Sequence, residues 1–383
     1  MPPRRLRALL GAAGAIISLA ASGGDAYQFE LPAWVPPPVV PLDNPLTKPK
    51  IDLGRRLFYD KRLSRDESIA CASCHRQARA FADKGRVPFG VTGESGKHNP
   101  PGLANIAYYP TLTWANPTLT RLEMQALRPI FSEHPVEMGM AGLEAELFAR
   151  LARDARYPAM FRDAFPETGG RIDLTAMMRA LSSFGRTLLS FDAPYDRYRY
   201  GGEKDALSPA AKRGEALFLS DRLMCARCHS GINLTDNIRY QGNEARAPIF
   251  HNTGLYNEDG KGAYPAASRG IRDITHVPGD EGKFRTPSLR NVALTPPYMH
   301  DGSIATLAGV IRDHYARGGK AVFDGKPPNP LRSPLISGFA ISEAEIGDLV
   351  AFLESLTDES FIRDPRHGDP FESDPASRAS VGR

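Results

Sequence analysis

Apolar residues recur at helical spacing in two stretches of the chain. Met177, Leu181, Phe184, Leu188 and Phe191 form one stripe, and Ile346, Leu349, Phe352, Leu353 and Leu356 form another. The second stripe opens on Ser342 with Glu345 three residues on, the pattern of a capping box. Ser208-Pro209 is a capping residue followed by proline at the first helical position, and it predicts a helix through Phe218. Met177 reads as a core residue of its stripe. No comparable run of alternating residues stands out, so the expected class is mainly α and rich in loops.

The ends of the chain read differently. Residues 1–26 carry Arg4, Arg5 and Arg7, then an apolar run too short to span a bilayer, then small residues where a peptidase could cut. That is the pattern of a cleaved export signal and predicts a periplasmic protein with no membrane span after cleavage. Residues 27–49 are proline-rich, including Pro36-Pro37-Pro38, and predict an extended strap. Residues 361–383 predict a disordered tail.

Composition changes this picture little. The chain has 383 residues, 42% hydrophobic and 24% charged, with 33 Pro and 35 Gly. Without Arg4, Arg5 and Arg7, the formal charge of +4 drops to about +1. No basic stripe interleaved with aromatics is present, which argues against a nucleic-acid partner.

The four cysteines carry the chemistry. Cys71-Ala-Ser-Cys74-His75 and Cys225-Ala-Arg-Cys228-His229 are both C-x-x-C-H, and no Cys is left over. This spacing lets two thiols form thioethers to one haem while the next His ligates its iron. Two disulfides or one four-cysteine zinc site are the alternatives, and neither needs a His after each pair.

The surroundings repeat too. Gly54-Arg-Arg-Leu57-Phe58 precedes the first motif and Gly214-Glu-Ala-Leu217-Phe218 the second, each followed by an acidic residue and Arg-Leu. The repeat predicts two cytochrome-c-like lobes, residues 50–203 and 204–360, each with one covalently bound c-type haem.

With these lobes, the segments Pro135-Val-Glu-Met-Gly139 and Arg285-Thr-Pro-Ser-Leu-Arg-Asn291 resemble the bacterial di-haem cytochrome c peroxidases and MauG-like enzymes. The resemblance spans roughly residues 28–358. Leu31-Pro-Ala-Trp34, Asp43-Asn44-Pro45, Thr92-Gly93 and Leu112-Thr-Trp-Ala-Asn-Pro117 are similar to the MbnH-like branch.

The resemblance implies roles residue by residue. Glu137 matches the distal acid over the first haem, with Gln125 and Pro129 at the preceding positions; the alternative for Glu137 is a solvated helix-start carboxylate. The interval from Gln125 to Glu137 is longer than in short-loop members. Trp114 matches the aromatic between the haems, the alternative being a packed core indole. Trp34 has no such context and reads as structural. Asn99, with the carbonyls of Thr295 and Pro297, matches a calcium site.

Two departures from the peroxidase pattern matter. Residues 76–97 contain no His that could block the first iron, and His98 comes late, beside Asn99. The first haem is therefore expected to be five-coordinate. The stretch Thr306–Gly319 contains no Met for the second iron. Tyr315, as in MauG-like members, His314 and Met299 remain the candidates. One helical residue is about 100° of rotation, so only one of the adjacent pair can face the iron. A phenolate ligand would favour high oxidation states.

The resemblance then implies an enzyme that uses hydrogen peroxide to oxidise an exported protein partner. In the MbnH-like case this is a Trp converted to kynurenine in a copper-related partner. The alternatives are a peroxide reductase fed by a small cytochrome or cupredoxin, and a plain electron carrier.

Overall fold

The computed structural model describes residues 26–244 and 247–372. The leader expected over residues 1–26 falls, but for Ala26, outside them. Helices and turns dominate. Among the described residues the one sheet has two short strands, Phe250–Asn252 antiparallel to Lys283–Arg285, with His251 opposite Phe284. No helix among the described residues is long and apolar enough to cross a membrane.

The fold repeats one helical crossing. The helix Lys48–Tyr59 packs on Leu174–Gly185, and the helix Pro209–Leu219 packs on Glu343–Glu354. Both crossings depend on the repeated glycine. A Cβ on Gly54 would lie 1.9 Å from the Ala180 carbonyl oxygen, and one on Gly214 would lie 2.0 Å from that of Asp348. Only a residue without a side chain permits such backbone approach. The Leu-Phe pair that follows each glycine points into its own core, with Leu57 and Phe58 buried in the first and Phe218 in the second.

The predicted caps form. Ser208 accepts from the Ala211 N–H, and Ser342 and Glu345 close a reciprocal box. The Met177 stripe is helical only to Gly185; Leu188 and Phe191 are buried in the extended chain beyond.

The strap lies across both cores. Asn44 is fully buried and donates to Glu123 and to the Ser182 hydroxyl in the first. The Pro36 carbonyl accepts from the Tyr108 hydroxyl, and that of Pro37 accepts from the Gln241 N–H.

The disordered tail expected from residue 361 is corrected over residues 361–372. Glu359–Arg363 is a helix, and Phe361 is buried against Phe81 of the first core at 5.7 Å between rings. Beyond it, Gln77 donates to the Asp364 carbonyl and Tyr59 to that of His367. A charged, proline-containing segment is thus held by one aromatic anchor and by its own carbonyls. Residues 373–383 lie outside the described part.

Candidate functional site

Each C-x-x-C-H motif starts with a short helical turn, Cys71–Cys74 and Cys225–Arg227. The His that follows is held through its Nδ1. His75 Nδ1 donates to the Phe81 carbonyl at 2.8 Å, and His229 Nδ1 donates to the Leu234 carbonyl at 3.2 Å. Phe81 and Leu234 are both buried and both left-handed, at φ 61° and 49°. Such backbone is uncommon outside glycine. It aims each carbonyl back at its imidazole. That leaves the Nε2 of each ring as the atom that could ligate a metal, the tautomer that metal-binding His adopts when Nδ1–H is engaged.

Burial lowers the pKa of both imidazoles, which favours the neutral, ligating form. Burial also raises the thiols, Cys71 to about 12 and Cys74 and Cys225 to about 11. These are half-buried thiols with raised pKa, not activated nucleophiles. None of the four is in a disulfide. The donor set suits two covalent haems.

The segment around Glu137 is stitched to its neighbours from both sides. Met138 N–H donates to the Pro129 carbonyl and Val91 N–H to that of Glu137. A Cβ at Gly90 would lie 1.8 Å from the Val136 carbonyl oxygen, so the Pro88–Gly96 loop presses directly on this segment. Burial raises the Glu137 pKa, partly offset by Arg128. Its charge is among the smaller influences that raise both Cys71 and Cys74, so the carboxyl is within electrostatic reach of the first pair. Gln125 belongs to the same region, and its Oε1 is buried with no protein partner. A buried amide oxygen without a partner calls for a polar ligand or a water.

His98 does not enter this site. Its Nε2 meets the Ser268 hydroxyl at 2.7 Å, and its ring packs near Phe284 and His300.

At the second pair the candidate ligands separate. Val310–Tyr315 is a π-helical turn, a form that often marks functional sites. His314 is fully buried, and its Nδ1 accepts the Lys320 backbone N–H at 2.8 Å. The Tyr315 phenol is pushed well above its ordinary pKa by burial, then by Cys228 and Cys225. Of the two, Tyr315 is the one within electrostatic reach of these sulfurs. Met299 lies in a left-handed turn and packs in the cluster that holds Trp114.

Trp114 Nε1 donates to the Asn99 carbonyl at 2.7 Å. The Arg285 guanidinium lies 3.9 Å from the Tyr109 ring and 6.0 Å from that of Trp114. Asn99, Thr295 and Pro297 line one cavity of about 100 Å³ together with Trp114, Tyr109 and Arg285. Asn99 donates its amide nitrogen to the Gly85 and Arg86 carbonyls, which orients the Oδ1 acceptor.

A family profile described as di-haem cytochrome c peroxidase matches residues 48–205. Cytochrome-c peroxidase IdrP1 of Denitromonas iodatirespirans is 36% identical, over 96% of this chain and 96% of that protein. The chain belongs to the di-haem cytochrome c peroxidase family. The methylamine utilization protein MauG of Methylophilus methylotrophus, another relative, is 35% identical over 86% of this chain and 88% of its own. A solved MauG-like protein associated with microbial copper homeostasis superposes with a TM-score of 0.86 at 46% identity, covering 90% of this chain and all of that one. The diheme peroxidase BthA of Burkholderia thailandensis shares the fold, at a TM-score of 0.65 and 23% identity. The protein is thus a peroxidase-type oxidoreductase of a family that carries two haems.

Sequence reading missed three parts of the site. The carbonyls of Phe81 and Leu234 carry no side-chain signature. Arg285 stood in a recognised segment, but its place between Tyr109 and Trp114 is a tertiary fact. Asp236 and His251, 2.6 Å apart beside Cys228, come from separate segments. Asp236, with a smaller contribution from Cys228, raises the His251 imidazole to about 10.

Proposed function

We propose that this chain is an exported, periplasmic enzyme with two c-type haems that uses hydrogen peroxide to oxidise a protein partner. Cys71 and Cys74 attach the first haem with His75 on its iron, and Cys225, Cys228 and His229 do the same for the second. The observation that carries this reading is the asymmetry of the open sides. Glu137, whose charge reaches the first pair, and the unpartnered Gln125 Oε1 support a polar open side there, since residues 76–97 supply no imidazole. A phenol, Tyr315, stands at the second.

The haems supply the redox chemistry, accepting the two oxidising equivalents of peroxide. The residues handle protons and position. Glu137 takes a proton from the near peroxide oxygen and delivers it to the far one, which a buried carboxylate can do in both directions. Gln125 Oε1 accepts from bound peroxide or water, and Pro129 keeps that wall apolar. Tyr315 would hold the iron of the second haem. Trp114 would relay electrons between the two haems, and Asn99 Oδ1 with the Thr295 and Pro297 carbonyls would hold calcium. With Cys228 as a thioether, Asp236 and His251 remain a hydrogen-bonded ion pair next to the second attachment.

The partner is an exported protein with an oxidisable aromatic side chain. The solved MauG-like relative at 46% identity, associated with microbial copper homeostasis, supports a partner in copper handling, and the resemblance to the MbnH-like branch implies a tryptophan converted to kynurenine. Peroxide reduction with electrons from a small cytochrome or cupredoxin would call for a blocking His on the first haem and an axial Met on the second.

Titrating the oxidised protein with stoichiometric peroxide, followed by absorbance and EPR, tests the reading. Immediate loss of the high-spin ferric signal without reductant is expected. A reaction only after one haem is reduced would overturn it.

A further inference from the structure

Trp34, read from sequence as a packing residue, stands at the edge of a ring assembly that reaches the surface. It stacks on Tyr200 with centroids 3.9 Å apart and 14° between planes. It meets Phe191 edge-on at 5.7 Å, and Phe191 meets Tyr108 at 5.5 Å. Most ring pairs in this core are tilted or edge-on, the arrangement aromatic packing prefers. Parallel overlap this close gives strong electronic coupling between two oxidisable rings. Tyr200 is 41% exposed, so the outer ring is open to solvent.

The inner side leads to the second attachment site. The Arg290 guanidinium lies 4.7 Å from the Phe191 ring and 5.9 Å from that of Trp34. Its Nε donates to the Ile232 carbonyl at 2.8 Å, three residues beyond His229 in the same loop. A short path of bonds, one hydrogen bond and a final non-bonded step of 5.9 Å therefore joins the His229 loop to the Trp34 ring. Arg290 is also paired with Asp196, at 2.7 and 2.9 Å. The pair leaves little net charge beside the indole, so a positive charge forming on Trp34 meets no uncompensated cation.

We propose that Trp34 and Tyr200 are the exit relay by which oxidising equivalents leave the second haem site for an aromatic side chain of a docked protein. This deepens the function proposed above and rests on it. Trp34 gives one electron inward along the Arg290–Ile232 path, and Tyr200 then re-reduces Trp34. The phenolic proton of Tyr200 passes to solvent. A partner aromatic returns one electron to Tyr200, which regains a proton from solvent. Two such passages accompany each peroxide, which takes up two electrons and two protons to become two waters.

The test treats the holoenzyme with stoichiometric peroxide in the absence of any partner, then maps oxygen additions by peptide mass spectrometry and follows radicals by EPR. Oxidation is expected at Trp34 and Tyr200. Trp34→Phe should lose the mark at Tyr200, and Trp34→Tyr, still redox-active, should restore it; a purely packing role would not separate these two variants. If peroxide reacts but both residues stay unmodified, or Tyr200 is marked equally in Trp34→Phe, the relay is wrong and the proposed function stands. If the oxidised holoenzyme does not react with peroxide, the proposed function fails and the relay with it.

Discussion

His314 and Tyr315, adjacent in one π-helical turn with ring centroids 4.6 Å apart, meet different influences: His314 Nδ1 accepts the Lys320 N–H at 2.8 Å, whereas the charges of Cys228 and Cys225 help burial raise the Tyr315 phenol. A ring tied to the backbone from Nδ1 is held in place by the Gly319–Lys320 turn. Tyr315→Phe should therefore change the absorbance and EPR of the second haem, and Tyr315→His should shift them toward a bis-His form. His314→Ala should leave those ligand signatures alone. A spectrum that follows His314 instead would reverse the assignment.

Glu137→Gln should keep both haems and slow the reaction with peroxide by about 10²- to 10⁴-fold, the range for loss of a general acid–base. Burial raises the Glu137 pKa and Arg128 opposes it. The carboxylate form that accepts the proton is populated above that raised pKa. The wild-type rate should fall as pH drops through a point above the ordinary carboxylate range, and the Gln variant should lose this limb. Stopped-flow absorbance across pH measures both.

Trp114→Phe keeps an aromatic in place but removes the Nε1 donor to the Asn99 carbonyl. Oxidation by peroxide should then stay on the first haem. EPR and near-infrared absorbance that still show charge shared between both haems would refute the relay.

The buried pair Glu123–Arg186, at 2.8 Å, ties the Leu122–Gln125 turn to the Leu174–Gly185 helix beneath the strap. Burial alone would raise the Glu123 pKa, but hydrogen bonds from Arg186 and Asn44 outweigh it and bring the carboxyl to about 2. A depressed folded pKa means stability fully present above the ordinary value of 4.5 and lost as pH falls from there toward 2. Glu123→Gln should cost about 3–5 kcal/mol at neutral pH, since it leaves Arg186 buried and unpaired. Denaturant titrations should show that difference shrinking through the same acid window.

Phe361 joins the chain end to the core around Phe81, whose carbonyl holds His75. Phe361→Ala should destabilise the protein by about 3–5 kcal/mol, as for other buried Phe truncations. Thermal unfolding checks the size. A loss near zero would mean the segment rests on the core without supporting it.

The chemistry most legible in the sequence is the most local. C-x-x-C-H needs only five consecutive residues, so both attachment sites could be read without a fold, and capped helices such as Glu343–Glu354 follow from short-range hydrogen bonds. The repeated Gly-x-x-Leu-Phe was visible as a pattern, but its reason, a helix crossing with no room for a Cβ on Gly54 or Gly214, exists only in three dimensions. Family likeness pointed to Glu137, Trp114 and Asn99 while their surroundings stayed unread. Neighbours one helical step apart, His314 and Tyr315, could not be separated by counting, because 100° of rotation depends on how the turn is wound and what anchors it. Packing of residues 361–372 was misread because a polar, proline-bearing segment is ordered by partners hundreds of residues away. The sequence by itself determined the two C-x-x-C-H motifs, of the kind that attach haem, and the helices that frame them. Tertiary structure decided which side chains face each site, since a side chain's direction is set by contacts between segments that the linear order does not contain.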